Sequence, residues 1–155
     1  MTEAIKYAID KLPIFSDLTT REVNVLANLF HPKEWQRGET LFSEGEQCQA
    51  LYFVLTGEVK IYKKDKNRQY KEIATVGGRS ILGEMGFIER SLRSATAIAE
   101  QDSTGIGLFH SDFENLCVDD PQVAIKLLKK LNRLLALRLR KTTVEYANIL
   151  HEATI

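Results

Sequence analysis

From Lys33 to Phe109 the chain alternates short β-prone runs with turn-forming residues. Glu34–Gln36, Thr40–Phe42, Leu51–Leu55, Glu58–Tyr62, Tyr70–Val76, Ala95–Ala99 and Gly105–Phe109 read as strands. Gly38, Gly45, Gly57, Gly77 and Gly83 fall where strands must turn. Lys63 to Arg68 reads as a charged hairpin loop. Roughly seven or eight strands at this spacing argue a β-sandwich or jelly roll and oppose a βαβ fold, whose strands would be separated by helices.

Helical patterns flank the β segment. Thr2 to Lys11 carries Ile5, Ala8 and Ile9 on one face, and Pro13 ends it. Thr19 and Glu22 have the spacing of a capping box, opening a helix with Val23, Leu26, Ala27 and Phe30 that His31-Pro32 stops. Ser111 and Glu114 have the same spacing ahead of Phe113 and Leu116. Asp120 and Pro121 suit an N-cap and a first helical residue. From Gln122 to Leu150 there is neither glycine nor proline, and apolar residues recur three and four apart. A helix of about 30 residues is roughly 45 Å long, against a radius of gyration near 13–14 Å for a body of ~120 residues. Its far half overhangs unless its apolar stripe is covered. A second copy in a parallel two-fold contact is the simplest cover; folding back on its own body is the other. The chain thus divides into an N-terminal helical segment (1–32), a β body (33–110) and C-terminal helices (111–155) within one domain.

The chemistry concentrates in Leu82 to Ala97. Gly83 and Gly86 bracket Glu84, and Arg93 follows with two small residues, Ser94 and Ala95. A glycine-flanked helix start leaves backbone N–H groups free to meet an anion. Arg93 adds a planar, permanently charged fork, and Ser94 a hydroxyl. Glu84 only accepts hydrogen bonds, so it suits a hydroxyl. An anion beside a hydroxyl describes a sugar phosphate; a plain surface ion pair is the alternative for the same residues.

Other chemistries find little support. Lysine plus arginine equals aspartate plus glutamate, 21 each, so no long-range attraction to nucleic acid or anionic membrane is expected. The histidines His31, His110 and His151 are not at ligand spacing, which opposes a cupin-type metal enzyme. Cys48 and Cys117 do not supply a haem or iron–sulfur ligand set and read as free thiols of a reducing compartment. With no signal-peptide pattern and no apolar run of membrane-spanning length, the expected location is the cytoplasm.

In this order of elements the chain resembles the cyclic nucleotide-binding domain family. Three segments carry the resemblance: Gly38–Gly45, Leu51–Val59, and Leu82–Phe87 followed by Arg93-Ser94-Ala95. The resemblance implies a mainly β fold, a double-stranded β-helix (jelly roll) with N-terminal helices and a long C-terminal helix. It implies that Glu84 accepts from a ribose 2′-hydroxyl and Arg93 pairs with a cyclic phosphate. Gly83, Met85, Ser94 and Ala95 would complete the cradle. In the bacterial activators of the family a Thr/Ser pair on the long helix reaches the base, one residue from each subunit; Thr142 and Thr143 are the candidates here. Ser94 leans toward cAMP over cGMP. Leu92 stands where eukaryotic members often have proline, and Gly86 where many members have alanine.

The expected protein is therefore a non-enzymatic cyclic nucleotide sensor with no metal and no cofactor beyond its ligand. It is expected to be a homodimer through the long helix, to signal to a downstream protein partner that the sequence does not identify, and to bind neither membrane nor specific DNA, since no helix-turn-helix follows the helix in this sequence. An interaction scaffold with a degenerate pocket is the alternative. Replacing Arg93 is expected to remove ligand binding and leave the fold intact.

Overall fold

The computed structural model describes residues 2–154. Eight strands form two antiparallel sheets: β1 (His31–Trp35), β2 (Thr40–Phe42), β3 (Ala50–Thr56), β4 (Glu58–Lys64), β5 (Tyr70–Gly77), β6 (Ser80–Leu82), β7 (Thr96–Ala99) and β8 (Ser103–Phe109). One sheet has the order β1-β8-β3-β6 and the other β2-β7-β4-β5. This is the expected jelly roll with flanking helices and a long C-terminal helix. The helices are α1 (Thr2–Lys11), α2 (Thr20–Ala27), α3 (Glu84–Glu89), α4 (His110–Asp119) and α5 (Pro121–Thr154), with a 3₁₀ turn at Pro13–Phe15.

Strand β3 reads as a continuous apolar run because both its faces are buried. Leu51 and Phe53 join Ile106 and Leu108 of β8 in a core shared with α1, α2, α4 and the first half of α5. Val54, one position on, joins Trp35, Leu41, Phe42, Val59, Leu82, Ala97 and Ala99 between the sheets. Gly105 is required by close approach, since a Cβ there would lie 2.4 Å from the Phe53 carbonyl oxygen and 3.1 Å from the Trp35 ring.

The Thr19–Glu22 capping box forms reciprocally: the Glu22 N–H donates to Thr19 Oγ1 at 3.2 Å, and the Thr19 N–H to Glu22 Oε1 at 2.9 Å. Three local expectations are corrected. Helix α2 ends at Ala27, and His31-Pro32 opens β1. Proline is tolerated there because β1 is an edge strand, bonded only to β8. Strand β6 is not among the strands expected from the sequence; its three residues pair with Tyr52–Val54 of β3, and the glycines on either side, Gly77-Gly78 and Gly83, make so short a run read as turn. The Ser111–Glu114 box does not form. Helix α4 starts two residues earlier, with Phe109 at the N-cap position and the His110 N–H donating to the Gln49 carbonyl at 2.8 Å, and Glu114 lies 3.6 Å from the His110 ring instead.

Asp120 and Pro121 open α5 as expected, with the Val123 N–H donating to Asp120 Oδ1 at 3.4 Å. The helix has 34 residues, about 50 Å. Only Val123, Ala124, Leu127 and Leu131 are buried, and every described residue beyond Arg138 is exposed. The far half does not fold back on the body.

Candidate functional site

The site is built where β6 runs into α3. Gly83 turns the chain with a left-handed φ of +82°, which L side chains rarely adopt, and a Cβ there would lie 2.0 Å from Arg93 Nη1. Glycine is needed for the turn and for the arginine's approach. Helix α3 follows, and its first N–H groups have no carbonyl within the helix to meet. It ends at Arg90 in a left-handed conformation, and the chain returns with Arg93 clamped by its backbone: the Arg93 N–H donates to the Glu46 carbonyl at 2.7 Å, and the Gly45 N–H to the Arg93 carbonyl at 2.9 Å.

Among the described residues, Glu84 and Arg93 are the only charged side chains that are buried, 7% and 5% exposed. Arg93 Nη2 donates to the Ala50 carbonyl at 2.6 Å and Nη1 to the Gly83 carbonyl at 3.4 Å. Its guanidinium lies 4.2 Å from the centroid of the Phe42 ring, a contact of roughly 0.5–2 kcal/mol. Burial pushes the Arg93 pKa down, opposed by Cys48, Tyr52, Glu46 and Glu84 around it. Burial pushes the Cys48 thiol and the Tyr52 phenol up, with the Arg93 charge opposing in each case. Because Arg93 is buried and donates to the Ala50 carbonyl, its replacement is expected to reach the fold as well as the site, where the sequence alone suggests an intact fold.

The carboxylate of Glu84 accepts from Arg138 Nη1 of α5, and Arg138 Nη2 donates to the Ile81 carbonyl of β6 at 2.7 Å. Arg138 lies in the basic run ahead of Thr142, but sequence spacing gave no sign that it closes onto a carboxylate 54 residues upstream. Lys63 was likewise missed; its ammonium donates to the Ser94 carbonyl and pairs with Glu44 at 3.1 Å.

Gly83, Glu84, Met85, Arg93, Ser94 and Ala95 all line one cavity of about 270 Å³, closed on one side by Arg138 and walled by Phe42, Ile61 and Val76. A second cavity of about 520 Å³ lies between α3 and α5, lined by Glu84, Met85, Leu135, Arg138 and Thr142 among others. Arg138 stands at both. Thr143 is not at either; its hydroxyl donates to the Leu139 carbonyl one turn back at 2.8 Å. A forked cation, free helix-start amides and an acceptor-only carboxylate around one cavity can hold an anion that carries a neighbouring hydroxyl. Among the described residues, no three His, Cys, Asp or Glu side chains are grouped to hold a metal.

Comparison with known proteins bears on the same residues. Residues 32–120 match the family described as cyclic nucleotide-binding domain. The cyclic AMP receptor protein of Thermus thermophilus is 32% identical over 133 residues, covering 86% of this chain and 60% of that protein. A putative potassium channel protein of Rhodopseudomonas palustris is 28% identical over 95% of this chain, but only 34% of its own length is matched. The chain therefore spans less than two thirds of these curated relatives. The solved cyclic nucleotide-binding domain from Methylobacillus flagellatus superposes with a TM-score of 0.82 at 30% identity, covering 93% of this chain and 81% of that one.

Proposed function

The chain belongs to the cyclic nucleotide-binding domain family, and on that premise we propose that it is a sensor that binds cAMP in preference to cGMP and relays occupancy through α5. The observation that carries this reading is the burial of Glu84 and Arg93 at one cavity. Burying a charge costs several kcal/mol unless it is paired, and such charges gather where a ligand is met. The cyclic phosphate takes the Arg93 fork together with the amides at Gly83 and Met85 and the Ser94 hydroxyl. Ala95 leaves room for close approach, and the ribose 2′-hydroxyl donates to Glu84. The preference for cAMP is supported by Ser94 and by the name of the Thermus relative.

The relay is supported by Arg138. A ribose hydroxyl on Glu84 competes with the Arg138 guanidinium, and withdrawal of Arg138 opens the 270 Å³ cavity toward the 520 Å³ one. Helix α5 is then released from β6 and α3. Thr142, and Thr143 across a two-fold helix pair, are the candidates for the base. Exposed Leu139, Val144, Tyr146, Ile149 and Leu150 support a homodimer through α5, with a downstream protein partner reading the helix. We read the module as non-catalytic and cytoplasmic, without specific DNA binding: phosphate contacts from basic residues of one helix are sequence-blind and lost with salt.

Titration calorimetry of the chain with cAMP, cGMP and 5′-AMP tests the function. Saturable binding in the order cAMP, cGMP, 5′-AMP is expected. No binding of either cyclic nucleotide would leave the fold in use as a scaffold, a reading favoured only by the internal partners that Glu84 and Arg93 already have.

A further inference from the structure

A groove of about 560 Å³, which shares Arg138 with the cassette cavity, is bounded by three elements: the turn at Pro13–Asp17, Arg79 with the start of β6 at Ser80-Ile81, and α5 from Lys130 to Arg138. Its size falls in the ~300–1,000 Å³ range of small-ligand sites. The floor is apolar, formed by Ile14, Ile81, Leu134 and Leu137, and Leu137 is 57% exposed. The rim is basic. Its one carboxylate, Asp17, is held by Lys130, whereas Arg79 and Arg133 have no carboxylate within ion-pair distance among the described residues. Arg79 also keeps a left-handed backbone, φ +68°, with its N–H donating to the Val54 carbonyl at 2.6 Å. A non-glycine residue held so is where backbone strain and function tend to coincide.

An apolar floor beneath two unanswered guanidiniums is complementary to a molecule with an apolar body and an anionic head. The groove is bounded on three sides by short segments, which suits a compact ligand better than an extended peptide. We propose that the groove is a second ligand site, separate from the cassette cavity, for a medium-chain carboxylate: the acyl chain lies on Ile14, Leu134 and Leu137, and the head group is held by Arg79 and Arg133.

Titration of the full chain with laurate tests this, with dodecyltrimethylammonium as a cation of equal chain length. The expected result is one saturable laurate site, no saturable uptake of the cation, and a loss of roughly tenfold or more in Arg133→Glu and, separately, in Leu137→Asp. Both positions are exposed on α5, and unchanged thermal melts would show both variants folded. Absent laurate binding, equal binding by the two folded variants, or equal uptake of the cation would overturn the proposal. So would saturable binding of the peptide Glu-Leu-Leu-Glu-Leu-Leu-Glu without laurate binding.

Discussion

Arg138, nearly five turns into α5, donates to the carboxylate of Glu84 at the start of α3, 54 residues earlier in the chain. With its second nitrogen on the Ile81 carbonyl, it ties the long helix to the site through the carboxylate proposed to receive the ribose. Ligand and helix therefore compete for one acceptor. A charge-assisted hydrogen bond contributes about 1.5–3 kcal/mol, toward the low end for a side chain as exposed as Arg138, so Arg138→Ala is expected to tighten cAMP binding by about tenfold. Titration calorimetry would check it; unchanged or weaker binding would mean that Arg138 does not compete.

Arg93→Ala is expected to abolish cyclic nucleotide binding and to destabilise the fold by about 2–4 kcal/mol, because it leaves the buried Ala50 carbonyl without its donor and opens a cavity. Arg93→Lys keeps a charge and loses the fork, so it should retain more stability than affinity. Urea unfolding and ligand titration on the same samples separate the two effects.

Glu22 joins the N-terminal helices to α5. The Thr19 backbone N–H and then Lys126 hold its pKa below the ordinary 4.5, and Lys126 lies at 2.9 Å. A depressed carboxylate pKa contributes stability that is present above the unfolded value and lost as pH falls through the folded one. Glutamine keeps the capping acceptor and loses only the charge, so Glu22→Gln should cost at most about 1 kcal/mol at neutral pH and progressively less as pH is lowered below 4.5. Unfolding curves across that range would show whether the difference closes.

The exposed apolar residues at the end of α5 give a prediction about assembly. Leu139 and Ile149 are 68% and 61% exposed, and a contact between copies would bury them. Wild-type protein at tens of micromolar, an order-of-magnitude choice for a modest interface, should sediment as a dimer, and a Leu139→Glu/Ile149→Glu variant as a monomer. Both residues are far from the core, so the variant should keep its melting temperature. A monomeric wild type would remove the homodimer from the proposal.

What could be read from the sequence was what local chemistry decides. The Thr19–Glu22 cap, the Asp120-Pro121 start of α5 and the turn at Gly83 each involve residues a few positions apart, and each stands in the structure. The cassette residues could be read as a group because they lie within 13 positions of one another, and they line one cavity. Strand β6 escaped because its three residues lie between the turn signals Gly77-Gly78 and Gly83, and the Ser111–Glu114 spacing misled because tertiary contact between His110 and Gln49 set the start of α4. Arg138 escaped for a different reason. A helical pattern shows which residues share a face, but not which distant carboxylate that face meets. The same holds for Arg93, whose strongest partner is a backbone carbonyl 43 residues away.

The most direct test follows individual groups during a nuclear magnetic resonance titration with cAMP. Backbone amides of Gly83, Met85 and Gly86 and the side-chain N–H of Arg138 would be observed together. If cAMP binds in the cassette and displaces Arg138 from Glu84, all four signals shift with one saturation curve, the Arg138 signal moving toward that of a solvent-exposed guanidinium. Cassette amides that stay in place up to about 1 mM cAMP, in protein that remains folded, would contradict cyclic nucleotide sensing by this chain.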